Sequence, residues 1–213
     1  MAMIRNIIWD VDGTLFDTYP AIAGAVKTAL NDLGCDAPLD WITGLTKITL
    51  NHCITTLTET YPLTGEAIRE RYEMHYAGIL LEEQRPMPGV VPICEYIWAN
   101  GGKNVIVTHR GRESTVGLLS THHLIDYFAG WITQDDGYPR KPDPAAFVAA
   151  IRAYGLKRED TITVGDRDID IEAGQAAGLF SCLFDFENSK VRPDLTITTF
   201  ETLYDYIRAN QVE

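Results

Sequence analysis

An α/β fold, a Rossmann-like doubly wound parallel sheet with an inserted α-helical domain, follows from three features of this 213-residue chain. Short apolar runs rich in β-branched residues recur along it. Helical patterns bounded by Asp, Pro and Gly alternate with those runs. One long segment near the N-terminus carries helical patterns and no strand.

The elements can be taken in order. "IRNIIW" predicts a buried strand over residues 4–9, and "NVIVT" a second over 104–108. "TITV" predicts a strand over 161–164, "LFSCLF" one over 179–184 and "LTIT" one over 195–198. Continuous apolar runs of this kind suit a sheet covered on both faces. "DPAAFVAAIRAYG" predicts a helix with Asp143 as N-cap, Pro144 at its first position and Gly155 as its stop, and "DIEAGQAAG" one that ends at Gly178. Residues 18–83 break the alternation. "AIAGAVKTALNDLG" and "GEAIRERYEMHYAGILLEE" read as amphipathic helices, the first stopping at Gly34. The proline-rich "QRPMPGVVP" marks the way out. The expected domains are residues 1–16 with 86–213 as a catalytic core, and 17–85 as a helical cap.

Composition narrows the partners. Hydrophobic residues make up 46% and charged residues 23%, as in ordinary globular proteins. The net charge of −12 repels phosphate backbones and anionic lipid, which argues against nucleic acid and membrane surfaces. No run reaches the ~18 apolar residues of a membrane helix, and "MAMIRNIIWD" is too short for a secretory h-region. Cys35, Cys53, Cys94 and Cys182 form no CxxC pair. They read as small apolar residues in a reducing, cytoplasmic setting.

Four chemically loaded stretches fall at or just past strand ends: "DVDGT" (10–14), "THR" (108–110), "RKPDP" (140–144) and "GDRDID" (165–170). Ligands of open α/β sheets bind at that edge. With these four in this order the chain resembles the haloacid dehalogenase-like superfamily, in its phosphatase branch, which includes phosphoglycolate phosphatases and β-phosphoglucomutases. The resemblance spans nearly the whole chain and is weakest in the helical insert. A fixed D-x-D-G-T arises by chance on the order of 10⁻⁵ per position. The Thr and Lys gain their weight from order and placement.

The resemblance implies roles. Asp10 would be the nucleophile that forms an aspartyl-phosphate, and Asp12 the acid and base. Two carboxylates this close repel unless they share a cation or a proton, and Mg²⁺ would relieve that repulsion. The implied metal ligands are Asp10, Asp12 through its backbone carbonyl, and Asp166, with Asp170 supporting the ion or Lys141. By their spacing of four, Asp166 and Asp170 share a helix face if the helix begins nearby. Asp168 is either a helix N-terminal carboxylate or a competing ligand, and Arg167 is solvent-exposed or salt-bridged. Gly13, Thr108, the His109 amide and Lys141 would bind phosphate. Arg110 either reads the rest of the substrate or points to solvent at a helix start. In relatives with this insert a cap loop contacts substrate, and the local match is "TGLTK" (43–47), with Gly44 at a turn. Lys47 is either its basic contact or an exposed helix-start lysine. Thr43 stands where related mutases tend to carry a second basic residue.

The resulting expectation is a Mg²⁺-dependent phosphatase for a small phosphorylated metabolite, monomeric or homodimeric. A phosphosugar mutase would use the same nucleophile but lacks the basic residue at Thr43. Asp12 argues against a dehalogenase. A phosphonate hydrolase would want a cap lysine, Lys47 or Lys27. A non-catalytic binding module would have no need of the complete carboxylate set.

Overall fold

The computed structural model describes residues 4–184 and 189–210. The chain divides into two compact units, Met1–Phe16 with Pro86–Glu213 and, between them in sequence, Asp17–Arg85. Strand β1 (Asn6–Trp9) opens the first unit. The second unit holds α1 (Tyr19–Asp32), α2 (Leu39–Ile48), α3 (Leu50–Thr60) and α4 (Gly65–Ala77). The first unit resumes with α5 (Val90–Ala99), β2 (Lys103–Val107), α6 (Arg112–Thr121) and β3 (Phe128–Ile132). It closes with α7 (Ala145–Tyr154), β4 (Thr161–Gly165), α8 (Asp168–Ala176), β5 (Phe180–Phe184), β6 (Leu195–Ile197) and α9 (Phe200–Ala209).

The six strands form one sheet in the order β3-β2-β1-β4-β5-β6, every pair parallel. The order reverses direction at β1 and β4, which opens a crevice at their carboxyl ends. Alternation along β1 sends Ile8 to one face, where it packs with Val105, Val107, Phe147, Ala150 and Ile151. Trp9 faces the other side, 6.1 Å from the Phe200 ring of α9. Its indole N–H donates to Asn104 Oδ1 at 3.0 Å, and the Asn104 amide donates to the carbonyls of Cys94 and Tyr127. The buried polar groups beneath the sheet are thus hydrogen-bonded, as burial requires. No helix among the described residues is long and apolar enough to cross a membrane.

The five expected strands are present within two residues of their expected bounds. The sixth, β3, is an edge strand with mixed burial, and its Ala129-Gly130 pair carries little strand signal. A Cβ at Gly130 would lie 2.3 Å from the Tyr154 hydroxyl oxygen. That hydroxyl accepts from Trp131 N–H at 3.0 Å and covers the open edge of the strand. Helix α7 begins one residue later than expected: Pro144 is its N-cap, while Asp143 Oδ1 accepts the Ala145 amide at 2.9 Å. Gly155 ends it in the left-handed conformation, φ 60°.

The second unit is built on a core of Ala23, Val26, Leu30, Ile42, Cys53, Leu57 and Ile68, drawn from all four helices. It corrects one expectation. Residues 43–47 are not a loop but the middle and last turn of α2, so Gly44 is helical and Lys47 lies in the C-terminal turn. A cation there complements the helix dipole, and Lys47 Nζ lies 5.9 Å from the Tyr19 ring centroid.

Two glycines give opposite expectations. A Cβ on Gly44 meets nothing within 4 Å, whereas one on Gly174 of α8 would lie 2.2 Å from Thr163 Cγ2 of β4. Gly44→Ala should stabilise the protein by about 0.5–1 kcal/mol through helix propensity. Gly174→Ala should cost about 1–3 kcal/mol by overpacking the helix against the strand. Urea unfolding of the two variants measures both, and a destabilised Gly44→Ala would contradict the helical assignment.

Candidate active site

The site is built on the first unit, at the carboxyl ends of β1, β2 and β4 and in the connection between β3 and α7. Asp10 continues β1 by one residue, its N–H donating to the Val164 carbonyl at 3.0 Å. The chain then turns on itself, with Leu15 and Phe16 N–H groups both donating to the Val11 carbonyl at 3.0 Å. Gly13 makes this turn possible with φ +80°. Its own N–H donates to the Phe16 carbonyl at 2.9 Å, so Gly13 shapes the loop rather than offering its amide to a ligand. The turn parts the two aspartates. Asp10 is buried and meets Lys141, whereas the Asp12 side chain, about a fifth exposed, meets Arg110.

Lys141 is the hub. Its Nζ donates to Asp10 Oδ1 at 2.6 Å, Asp170 Oδ1 at 2.5 Å and the Val107 carbonyl at 3.0 Å. The three side chains are each 2% exposed or less. Burial alone would push the ammonium down, but the two carboxylates outweigh it and hold Lys141 above its ordinary value. The carboxylates divide. Burial would raise Asp170 too, yet Lys141 and Arg167 hold it below the usual range. Asp10 is raised by burial and by the charge of Asp170.

Thr108, just past β2, is buried, and its Oγ1 accepts the Arg110 amide at 3.1 Å. His109 Nε2 accepts the Lys141 N–H at 2.8 Å, a bond that needs an unprotonated nitrogen. Burial, with Lys141, Arg140 and Arg167 nearby, lowers the His109 pKa to about 3. Arg110 is buried rather than at an exposed helix start. Its Nε and Nη2 both donate to Asp12 Oδ1, at 3.1 and 2.5 Å, and its Nη1 donates to Ser114 Oγ at 2.6 Å.

The acidic motif after β4 also differs from its expected layout. Helix α8 starts at Asp168, so Asp166 lies in the preceding turn and does not share a helix face with Asp170. The turn still brings it in: carboxylate oxygens of Asp10, Asp166 and Asp170 all lie within 4.8 Å of one another. Thr14 Oγ1 donates to Asp166 Oδ1 at 3.1 Å. Asp168 points elsewhere, accepting from Ser189 Oγ at 2.6 Å and from the Lys190 amide at 3.0 Å. Arg167 places Nη2 at 3.5 Å from Asp10 Oδ2 and Nε at 3.5 Å from Asp170 Oδ2. Periodicity carries no signal for that placement. Lys47, Thr43 and Gly44 belong to the second unit.

Three converging carboxylates suit a hard divalent cation, which takes oxygen ligands. The raised proton affinity of Asp10 supports the same fit, because a further cation would favour its ionised form.

The haloacid dehalogenase-like hydrolase family model matches residues 7–184. The chain belongs to that family, in its phosphatase branch. Among its relatives is the phosphoglycolate phosphatase of Nitrosospira multiformis, 30% identical over 184 residues, which cover 82% of this chain and 80% of that one. A hydrolase from Streptococcus pneumoniae TIGR4 aligns with a TM-score of 0.68 and 28% identity over 96% of this chain and 98% of its own. A predicted phosphoglycolate phosphatase from Haemophilus somnus aligns at 0.84 over 97% and 99%, and at 20% identity that likeness is one of fold.

Two measurements probe the buried charges of this hydrolase. Lys141→Met leaves Asp10 and Asp170 without their shared ammonium and should cost about 3–5 kcal/mol at neutral pH. The deficit should shrink as pH falls to 5, because without the ammonium burial favours the protonated form of both carboxyls, which then take up protons more readily folded than unfolded. A urea series at both pH values reads this, and a pH-independent deficit would contradict it.

His109 sets the second. Its folded pKa of about 3 lies below the ordinary 6.5, so between these values the unfolded chain binds a proton that the folded chain refuses. Wild-type stability should therefore fall more steeply than that of His109→Gln as pH drops from 6.5 toward 3. Parallel slopes in denaturant unfolding would place a protonated imidazole in the fold.

Proposed function

We propose that this phosphatase hydrolyses a small phosphomonoester by forming an aspartyl-phosphate, an acyl phosphate, on Asp10. The observation that carries the reading is the buried Asp10 carboxylate at the end of a central strand, held by Lys141 at 2.6 Å, with a second carboxylate two residues on. Asp10 attacks phosphorus as the P–O bond to the leaving group breaks, and Asp12 gives that oxygen its proton. In the second step Asp12 takes a proton from water, the water oxygen attacks phosphorus, and the Asp10 carboxylate is restored. Lys141, buried beside Asp10, offsets negative charge where the surroundings screen it least. The Thr108 oxygen already accepts the Arg110 amide, which leaves its O–H to donate to a phosphoryl oxygen.

Mg²⁺ is the proposed cofactor, held by Asp10, the Asp12 backbone carbonyl and Asp166, and it would supply charge neutralisation for the phosphoryl group. Asp170 supports Lys141, with which it shares a 2.5 Å bond. Phosphoglycolate is the first candidate substrate, on the strength of the relatives' names. A cytoplasmic setting belongs to the same proposal, supported by four free cysteines.

Acid quench of the protein turning over ³²P-labelled phosphoglycolate should leave label on the wild type and none on Asp10→Asn. The variant should remain folded and lose nearly all turnover. Excess chelator should abolish activity, and Mg²⁺ should restore it. Substantial steady-state activity of Asp10→Asn, or full activity in chelator, would refute the respective assignment.

A further inference from the structure

The Lys141 ammonium is held by three acceptors, but the chain that delivers it has little to rest on. Residues 137–140 belong to no helix or strand, and all four are exposed. The turn that follows closes on itself, the Asp143 N–H donating to the Arg140 carbonyl at 3.1 Å, which shapes it without fastening it to the sheet. Lys141 also lines a cavity of about 70 Å³ together with Thr108, His109, Pro139 and Arg140. Close packing therefore does not by itself fix the Lys141 backbone.

The fastening is the 2.8 Å bond from the Lys141 N–H to His109 Nε2. His109 stands on firm backbone. Before it, the Thr108 N–H donates to the Ile132 carbonyl at 3.0 Å; after it, the Gln134 N–H donates to the Arg110 carbonyl at 3.2 Å. Hydrogen bonding between the β2 and β3 chains thus runs on past His109, beyond both strand ends. The end of β2 takes hold of Lys141 twice, at Nζ through the Val107 carbonyl and at the main chain through His109, two residues on.

The acceptor has to be neutral. A carboxylate there would take the same N–H but would add negative charge beside Asp10 and Asp170 and compete with them for Lys141. Burial, with Lys141, Arg140 and Arg167 nearby, keeps the imidazole uncharged. A backbone N–H can only donate, so Nε2 carries no proton and the neutral ring has its proton on Nδ1.

We propose that the His109 imidazole is the positioning residue for Lys141: it pins the Lys141 backbone to the end of β2, so that a flexible side chain fixed at both ends delivers its ammonium to Asp10 and Asp170. The role rests on Lys141 supporting reaction at Asp10, as proposed above. It lies in the ring and is separate from the phosphate binding expected of the His109 main-chain amide.

The first test involves no turnover. NMR of the ¹⁵N-labelled wild type at neutral pH should show His109 with its proton on Nδ1 and a scalar coupling across the hydrogen bond from the Lys141 amide to Nε2. A proton on Nε2 would overturn the proposal whatever the reaction. His109→Leu should speed hydrogen exchange of the Lys141 amide by about tenfold or more while the amides of β1 and β4 keep their rates. His109→Gln, whose side-chain oxygen reaches about as far as Nε2, should restore the protection. Unchanged exchange at Lys141, or equal acceleration throughout the sheet, would contradict a local pin.

The second test is kinetic, with 4-nitrophenyl phosphate. His109→Leu should lower kcat by about 10–10²-fold with a smaller change in KM, because a misplaced ammonium supports the transition state less well. His109→Gln should recover most of that loss. A loss that glutamine does not recover would overturn the positioning role, and a rise confined to KM would show instead that the ring reads the substrate. Turnover retained by Asp10→Asn would refute the function proposed above, and the NMR and exchange results would still decide whether His109 pins Lys141.

Discussion

Everything at this site depends on one buried ammonium. Lys141 joins Asp10, at the end of β1, to Asp170, in the first turn of α8, and donates a third bond to the Val107 carbonyl at the end of β2. Neither carboxylate could stay ionised at such depth alone, because desolvation of an isolated charge costs far more than a folded protein can spare. The shared cation makes both tolerable and leaves the triad with one net negative charge. That residual charge suits Arg167, which lies 3.5 Å from each carboxylate, whereas Asp166 adds a further negative charge beside them and is hydrogen-bonded by Thr14. An acidic centre that is not fully neutralised suits the divalent cation proposed above.

The sheet supplies the positions. In parallel strands all carboxyl ends lie on one edge, so residues far apart in sequence arrive there without special arrangement. The reversal of strand order at β1 and β4 leaves their loops free to carry side chains into the crevice. Asp10 and Asp166 follow those two strands, Thr108 follows β2, and Lys141 comes from the connection after β3. Close packing keeps them there: α8 rests on β4 at Gly174 without room for a methyl group, which places Asp170 at a set height above the sheet.

The two aspartates of the first loop differ in what surrounds them. Asp10, the proposed nucleophile, is enclosed among charges that the fold has nearly balanced. Asp12 is partly exposed and is held by the buried Arg110. The tight turn around Gly13 is what parts them, because it ends the strand alternation that would have aimed both side chains one way.

The local chemistry was legible in the sequence. β-branched apolar runs identify five strands, since a buried parallel strand tolerates little else. Asp-x-Asp-Gly-Thr at a strand end, a Lys before a helix and a Gly-Asp-x-x-x-Asp turn name four side chains that the fold does bring together: Asp10, Lys141, Asp166 and Asp170. Tertiary structure alone decided the rest. Edge strand β3 has a glycine because the Tyr154 ring lies against it. Residues 43–47 are helical because α2 has apolar residues to bury on its neighbours, although "TGLTK" reads locally as a turn. Arg110 meets Asp12 across 98 positions of sequence, and Arg167 turns inward while its neighbour Asp168 turns to Ser189. A lone charged residue has no periodicity. Which opposite charge it meets is set by the crossing of strands and loops, and that crossing exists only in the folded chain.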